Sequence, residues 1–196
     1  MRLKTLLVVA TLAFCLCVAA PTFAQNLITN GSFETGDFSG WTTGGNFEFT
    51  QVVSGGYYVY SGAQDGQFYT TMGPVGSDGS LSQTLSTVAG AQYNISFWFA
   101  SVGDDPSDFS VYWNGTQLLS LTNPNTGVNW TQYTFTATGT GSDTLTFNFM
   151  DSPEYLALDN VSVTQQASTV PEPSSFLLLG TGVLGLGGFV RRKLGR

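Results

Sequence analysis

Residues 93–100 read Y-N-I-S-F-W-F-A, and this stretch decides the fold class of the chain. Its odd-numbered positions are all large and apolar. Its even-numbered positions are Asn94, Ser96, Trp98 and Ala100. An alternation with a period of two is typical of a β-strand that buries one face and exposes the other. We therefore predict an antiparallel sheet here, with an apolar inner face and a polar outer face.

Shorter runs of the same kind fill the rest of the interval between residues 25 and 164, and none shows the apolar spacing of a helix. They span residues 47–53, 57–60, 67–71, 81–86, 133–136, 144–149 and 155–164. Residues 111–121 add a hairpin, because Asn114-Gly115 between two such runs favours a two-residue turn. About nine or ten strands in residues 25–166 predict an all-β fold, an antiparallel β-sandwich of the jelly-roll type.

The last run carries an irregularity. Apolar residues occupy even positions up to Leu158 and odd positions from Val161 onward. A change of phase in a pattern of period two predicts a β-bulge, here at Asp159-Asn160. A bulge re-aims side chains, so we expect Asp159 to have a specific partner within the fold.

Charge is distributed unevenly along the 196 residues, which contain 6 Lys and Arg, 13 Asp and Glu, and no His. All the cations lie near the two ends, at Arg2, Lys4, Arg191, Arg192, Lys193 and Arg196. Residues 25–170 contain 12 carboxylates and no cation, a formal charge of −12. Without His, Lys or Cys this region cannot build a catalytic triad, a Schiff base or a tetrahedral zinc site. Without cations it is not expected to bind nucleic acid.

Residues 1–24 have the three parts of a secretory signal peptide. Arg2 and Lys4 are followed by an apolar run and by a small-x-small cleavage site ending at Ala24. A membrane anchor is the weaker interpretation, because the run is short and ends at Pro21. We expect export by the Sec translocon and cleavage by signal peptidase, with Gln25 as the first mature residue.

The C-terminal region has a linker at 167–175, an apolar Gly-rich segment at 176–190 and a terminal cluster of cations. A plain tail anchor would explain the apolar segment and the cations but not the Pro-Glu-Pro before them. Together, residues 170–193 resemble the bacterial PEP-CTERM sorting signal. The motif residues are Pro171, Glu172, Pro173, Arg191, Arg192 and Lys193. The resemblance implies processing by an exosortase, a transient transmembrane helix in the inner membrane, and a Gram-negative bacterium that makes exopolysaccharide.

A second resemblance covers the predicted sandwich. It rests on N-L-I-T-N-G-S-F-E-T-G-D-F-S-G-W (26–41), S-Q-T-L-S (82–86), Y-N-I-S-F-W (93–98), V-Y-W-N-G (111–115) and L-D-N-V-S-V (158–163). These stretches look like those of galactose-binding-like jelly-roll domains, which include carbohydrate-binding modules. Relatives often carry a structural Ca²⁺ between the N-terminal segment and the last strand. The resemblance therefore implies Glu34 and Asp159 as ligands, and Ca²⁺ prefers such oxygen donors. The alternative is two separate carboxylates that are solvated or bonded to backbone groups.

A carbohydrate site needs aromatic side chains that stack on sugar rings and polar side chains that bind hydroxyl groups. The candidate platforms are Trp98, Tyr58, Tyr60, Tyr69 and Trp113. The competing interpretation places most aromatic residues in the core.

The function expected from these features is non-catalytic. We expect a secreted cell-surface or extracellular-matrix (biofilm) protein that binds carbohydrate such as the exopolysaccharide. One alternative is a structural, adhesive or ice-binding surface protein without a glycan ligand. A more distant one is a glycoside hydrolase that uses a carboxylate pair.

Overall fold

Ten antiparallel strands form two five-stranded sheets in the computed structural model, which describes residues 25–103, 105–152 and 154–167. The strands are β1 (Thr42–Gly45), β2 (Gln51–Ser54), β3 (Phe68–Met72), β4 (Gly79–Ser86), β5 (Gln92–Ala100), β6 (Ser107–Trp113), β7 (Thr116–Thr122), β8 (Thr131–Thr138), β9 (Ser142–Asp151) and β10 (Leu156–Gln165). The first sheet has the order β1-β4-β9-β6-β7, and the second has the order β2-β3-β10-β5-β8. The predicted β-sandwich is confirmed.

The core lies between the two sheets and is mainly aromatic. In β5 the odd-numbered residues of the 93–100 stretch are all buried in it, as the alternation predicts. The Phe97 ring of the second sheet meets the Phe147 ring of the first edge-to-face, with centroids 5.2 Å apart. Phe99 and Phe109 make a closer contact between the sheets, at 4.4 Å. Edge-to-face and offset rings pack densely, so the sheets cannot slide freely over one another.

The predicted turn and bulge are both confirmed. The chain reverses between β6 and β7 at Asn114 and Gly115, which have φ values of 48° and 75°. Two successive positive φ angles are those of a type I′ turn. The pairing of β10 with β5 shifts register between Asp159 and Ser162, so Val161 returns to the buried face.

One predicted strand is wrong, and one observed strand was not predicted. Residues 57–60 form a single bridge between Tyr57 and Tyr60 and no strand. The strand β1 at Thr42–Gly45 was not predicted, since T-T-G-G has no apolar alternation. β1 forms because its backbone pairs with that of β4, and not because of any pattern in its own side chains.

The two ends of the sandwich differ in what they carry. Asn26 pairs with Thr164 near the end of β10, so both chain termini of the described domain leave at one end. At the other end, called the distal end, β3 stops at Met72 beside the start of β10. The loops at 46–50, 73–78, 101–106, 123–130 and 152–155 lie at the distal end.

Among the described residues no helix is long and apolar enough to cross a membrane. The predicted signal peptide, its cleavage-site residue Ala24, the linker from residue 168 onward and the apolar segment 176–190 lie outside those residues. The motif residues Pro171, Glu172, Pro173, Arg191, Arg192 and Lys193 lie outside them as well. Gln25 begins the described chain and is exposed.

Candidate functional site

The outer face of the second sheet carries a predicted sugar platform, Trp98, and a predicted calcium ligand, Asp159. In β5 the side chains that alternate with the core residues point outward, and Trp98 is among them. Trp98 pairs with Asp159 of β10 on one side and with Gln132 of β8 on the other. Directly paired residues share a face, with Cβ atoms about 5 Å apart. Trp98 therefore stands between a buried carboxylate and an exposed amide.

The connection between β2 and β3, residues 55–67, folds back over part of this outer face, and we call it the cap loop. Asp159 holds it from below, since its Oδ2 accepts hydrogen bonds from the backbone N–H groups of Gln64 (2.7 Å) and Asp65 (2.9 Å). Its Oδ1 accepts a third from the N–H of Asn160, at 2.7 Å. The side-chain Nδ2 of Asn160 donates a further bond to the side-chain Oε1 of Gln64, at 2.8 Å. The bulge thus aims Asp159 at the cap loop, as expected.

Glu34 holds the point where the same loop joins β3. Its Oε1 accepts the backbone N–H groups of Gln67 and Phe68, both at 2.8 Å. Gly66 lies directly beneath this carboxylate, and a Cβ atom there would overlap the Glu34 carboxyl carbon. Ser32 adds a bond from its hydroxyl to Asp65 Oδ2, at 2.9 Å. The N-terminal segment and the last strand therefore hold neighbouring residues near the C-terminal end of one loop.

Burial dominates the electrostatics of Asp159, which is fully inaccessible to solvent. Desolvation raises its pKa to about 6, although the three backbone hydrogen bonds favour the ionised form and lower it. The nearby charge of Asp65 adds to the increase. Ionisation of Asp159 is thus less favourable in the folded protein than in the unfolded chain.

The predicted calcium ligands Glu34 and Asp159 both face the cap loop, and they offer the hard oxygen donors that Ca²⁺ takes. Within the described ranges, no three His, Cys, Asp or Glu side chains gather in a group suited to a metal ion. A Ca²⁺ bound here would accordingly take two carboxylates at most and fill its shell with carbonyl or water oxygens. The same contacts fit the alternative of backbone-bonded carboxylates, and the calcium site stays a prediction.

Between the cap loop and the sheet lies a cluster of aromatic residues, in which Tyr57 and Tyr60 of the loop pack with Tyr69, Trp130 and Tyr155. The Tyr60 ring stacks on Trp130 with centroids 6.4 Å apart, and the Tyr60 hydroxyl donates to the Tyr155 carbonyl. Trp130 Nε1 donates to the Gly62 carbonyl of the cap loop, at 3.1 Å. These contacts make the cluster a small second core, separate from the one between the sheets.

Three of the predicted sugar platforms are wrong because their rings are covered. Tyr69 is buried beneath the cap loop, and Tyr60, a residue of that loop, is buried in the same cluster. Trp113 is buried in the main core, where it stacks on Tyr93 at 6.4 Å and donates from Nε1 to the Thr138 carbonyl at 3.2 Å. Tyr58 is exposed, with its ring 5.8 Å from that of Tyr155. Trp98 is partly exposed on the outer face.

The part of the second sheet that the cap loop leaves open is rich in amides and hydroxyls. Register places Ser96 between Ser162 and Thr134, and Asn94 between Thr164 and Thr136. We call this surface the Trp98 face, and its residues are Asn94, Ser96, Trp98, Gln132, Thr134, Thr136, Ser162 and Thr164. None of them is charged, and each is at least partly exposed.

Asp143 is a buried carboxylate that the sequence did not single out. It accepts hydrogen bonds from Thr87, from Asn114, and from the backbone and hydroxyl of Thr140 at 2.8 and 2.7 Å. Burial alone would raise the pKa of Asp143, but these bonds outweigh it and lower the pKa to about 2. Through Thr87, Asn114 and Thr140, Asp143 joins three turns at the end of the sandwich where the chain termini leave. No local pattern in the sequence marks this residue.

Comparison with known proteins identifies the C-terminal motif and relates the fold to known structures. Residues 169–193 match the PEP-CTERM protein-sorting motif, which marks an exosortase-sorted, secreted or cell-surface protein. No curated protein matches the chain.

Solved structures similar to the domain share its β-sandwich fold. TmCBM61 in complex with beta-1,4-galactotriose has a TM-score of 0.60 at 20% identity, covering 73% of this chain and 100% of its own. The tandem CBM22-1-CBM22-2 domain of Paenibacillus barcinonensis Xyn10C has a TM-score of 0.52 at 18% identity, with coverage of 80% and 50%. The enzymatically active domain of Bacteriophage CBA120 tailspike protein 4 has a TM-score of 0.53 at 19% identity, with coverage of 72% and 21%.

Proposed function

We propose that this chain is a non-catalytic cell-surface or extracellular-matrix protein that binds a neutral polysaccharide on the Trp98 face. The exopolysaccharide of a Gram-negative producer is the ligand we expect. The observation that carries the proposal is the position of Trp98, a partly exposed indole beside uncharged amides and hydroxyls. That combination supplies a stacking platform and hydrogen-bonding groups on one surface.

The chemistry of the Trp98 face suits a neutral sugar chain. Asn94 and Gln132 can each donate and accept hydrogen bonds, and so can the hydroxyl groups in the neighbouring rows. Rows on adjacent strands lie about 4.8 Å apart, so several of these groups are within reach of one sugar chain. Residues 25–170 contain no cation, which disfavours an anionic polysaccharide.

Two of the similar structures support a carbohydrate ligand. TmCBM61 is a carbohydrate-binding module solved with a galactotriose, and the CBM22 tandem is the N-terminal part of a chain named Xyn10C. The sorting motif supports a location outside the cell, where a polysaccharide is available. The tailspike domain is enzymatically active, so absence of activity in this chain is part of the proposal.

The test compares Trp98→Ala with Tyr112→Ala, an aromatic residue on the outer face of the opposite sheet. Binding of the purified protein to a panel of neutral polysaccharides, galactan and xylan included, is measured by affinity electrophoresis and calorimetry. We expect Trp98→Ala to weaken binding by about fivefold to 150-fold, since loss of one stacked ring costs about 1–3 kcal/mol. Tyr112→Ala should leave it unchanged.

Equal affinities for the two variants would place the ligand elsewhere, and failure of the unsubstituted protein to bind any neutral polysaccharide would reject the proposal. Release of reducing sugar from a bound substrate would contradict its non-catalytic part.

A further inference from the structure

Exposed apolar side chains are concentrated at the distal end of the sandwich. Six large apolar side chains are strongly exposed among the described residues, and five of them lie in the distal loops or in the adjoining part of the cap loop. These five, called the tip surface, are Phe49 (61% exposed), Tyr58 (56%), Val59 (44%), Val75 (49%) and Val128 (39%). The sixth, Val88 (57%), lies at the end where the chain termini leave.

The segments that carry the tip surface are joined to one another. Asn46 links the first two, since its side chain donates to the Val75 carbonyl at 3.0 Å from the turn that carries Phe49. Tyr155 lies against Gly73 and, on its other side, against the ring of Tyr58. The Val128 N–H donates to the Ser101 carbonyl at 3.2 Å, which fixes the last loop beside the end of β5.

Three residues of the tip surface have a left-handed backbone conformation. Phe49, Tyr58 and Val128 have positive φ values of 55°, 55° and 63°. A left-handed conformation is unfavourable for bulky and β-branched residues, and non-glycine examples cost about 1–3 kcal/mol each. Burial of these side chains in the core does not offset that cost, because all three are exposed.

Carboxylates are interleaved with the apolar residues of the tip surface. Glu48 precedes Phe49, Asp78 accepts the backbone N–H of Asn46 at 2.9 Å through its carbonyl, and Glu154 precedes Tyr155. Residues 25–170 hold no cation to balance them. This charge disfavours an anionic bilayer, and it disfavours a second copy, because two tips of the same sign would repel each other.

We propose that the tip surface binds a polysaccharide that carries free amino groups, such as a partly de-N-acetylated glucosamine polymer. The sugar rings would lie on Phe49 and Tyr58, and the ammonium groups would face Glu48, Asp78 and Glu154. Ammonium groups are also attracted to the faces of aromatic rings, by about 0.5–1 kcal/mol at exposed sites. The choice of an amino-sugar polymer over a lysine-rich peptide rests on the proposed carbohydrate-binding function.

The position of the tip surface fits an external partner. Both termini of the domain leave at the opposite end of β10, which is 10 residues long. A chain held through its C-terminal tail would therefore present the tip surface outward, while the Trp98 face remains on the side of the sandwich. The tip surface and the Trp98 face share no residue, so substitutions can disrupt one surface and leave the other intact.

The experiment measures binding of soluble chitosan to the purified protein by calorimetry, with the double variant Phe49→Ser/Tyr58→Ser. We expect at least tenfold weaker binding for the double variant and no change for Val88→Ser. Raising the salt from 50 to 500 mM should weaken binding by the unsubstituted protein at least fivefold, because exposed charges are screened. Fully N-acetylated oligomers should bind the tip surface less tightly than chitosan.

Several results would overturn the proposal. They are equal chitosan affinity in the double variant and Val88→Ser, tighter binding of the N-acetylated oligomer, or poly-lysine binding that matches chitosan and is lost in the double variant. Self-association or adsorption to anionic vesicles that disappears in the double variant would assign the tip surface to a second copy or to a membrane.

A second variant tests the proposal if the first double variant does not fold. If the double variant loses the native circular dichroism spectrum, Glu48→Gln/Glu154→Gln keeps the apolar rings and must show weaker chitosan binding and a smaller salt dependence. Loss of neutral-polysaccharide binding in Trp98→Ala with chitosan binding retained would separate this inference from the function proposed above.

Discussion

Asp159 and Asp143 are both inaccessible to solvent, and their surroundings move their pKa values in opposite directions. Asp143 receives bonds from two hydroxyl groups, an amide side chain and a backbone N–H, which together stabilise its ionised form. Asp159 receives backbone N–H groups alone and has the charge of Asp65 nearby. Burial therefore prevails at Asp159 and hydrogen bonding at Asp143.

The first prediction concerns the pH dependence of stability. The folded pKa of Asp159, about 6, exceeds its ordinary value of 3.8, so the folded protein holds this proton to a higher pH than the unfolded chain. The free energy of unfolding should consequently fall as the pH rises from 4 to above 6, by up to about 3 kcal/mol from this group. Asp143, with its pKa lowered, acts in the opposite sense and loses its contribution only as the pH falls below 4.

Urea unfolding at pH 4.0–7.5 measures this slope. In Asp159→Asn the slope should be shallower, because the titrating group is gone. Asp108→Asn, an exposed carboxylate that pairs with Thr122, serves as the control and should keep the original slope. Parallel curves for the unsubstituted protein and Asp159→Asn would contradict the prediction.

At the scale of elements, the cap loop is the feature that shapes the candidate site. It covers Tyr69 with its own Tyr60, leaves Trp98 at its margin, and is held through its backbone by Glu34 and Asp159. Because carboxylates bond to main-chain N–H groups, the grip depends little on the loop's own side chains. It depends instead on close approach at Gly66, where the Glu34 carboxylate lies against the backbone.

The second prediction tests that approach with a pair of glycines. Gly66 and Gly76 have similar φ values, 69° and 80°, so alanine carries a similar backbone strain at both positions. A Cβ atom at Gly66 meets the Glu34 carboxyl group, whereas at Gly76 it meets no atom within 4 Å. We expect Gly66→Ala to lower the free energy of unfolding by about 1–2 kcal/mol more than Gly76→Ala, through loss of the two bonds to Glu34.

Chemical denaturation gives the two free energies, and hydrogen exchange locates the change. The amide hydrogens of Gln67 and Phe68 should exchange faster in Gly66→Ala and at the original rate in Gly76→Ala. Equal destabilisation by both substitutions would mean that only the backbone strain matters.

At the scale of the whole molecule, the domain is a polyanion whose first and last segments meet at one loop. Residues 25–170 carry a formal charge of −12, and Glu34 from the N-terminal segment and Asp159 of the last strand both accept backbone hydrogen bonds from the cap loop. A divalent cation there would tie the two ends of the domain together and offset the cost of ionising Asp159.

The third prediction is that Ca²⁺ raises the melting temperature at pH 7 and raises it less at pH 4.5, where Asp159 is protonated. Mg²⁺ at the same concentration, together with NaCl at matched ionic strength, is the control for general screening of the negative charge. The increase should disappear in Glu34→Ala. If Ca²⁺ and Mg²⁺ give the same shift, or if Glu34→Ala retains it, the two carboxylates are backbone-bonded residues without a metal.

Much of the fold was predictable because the patterns that specify it lie within short stretches of the sequence. The alternation at 93–100, the Asn114-Gly115 turn and the change of phase before Val161 each lie within a few residues and each correspond to the observed structure. The site was less predictable. Trp98 was placed on the outer face by its phase alone, but phase did not reveal that the cap loop would cover Tyr69 on the same face of its sheet.

The amino-acid sequence by itself determined the sandwich, its bulge and its C-terminal sorting motif, because side-chain period and linear motifs are properties of neighbouring residues. Tertiary structure alone decided which aromatic rings meet solvent. The contact between Gln64 and Asp159 joins residues 95 positions apart, and it brings the cap loop down on the second sheet. Exposure of a side chain depends on what distant part of the chain packs over it, and no local pattern carries that information.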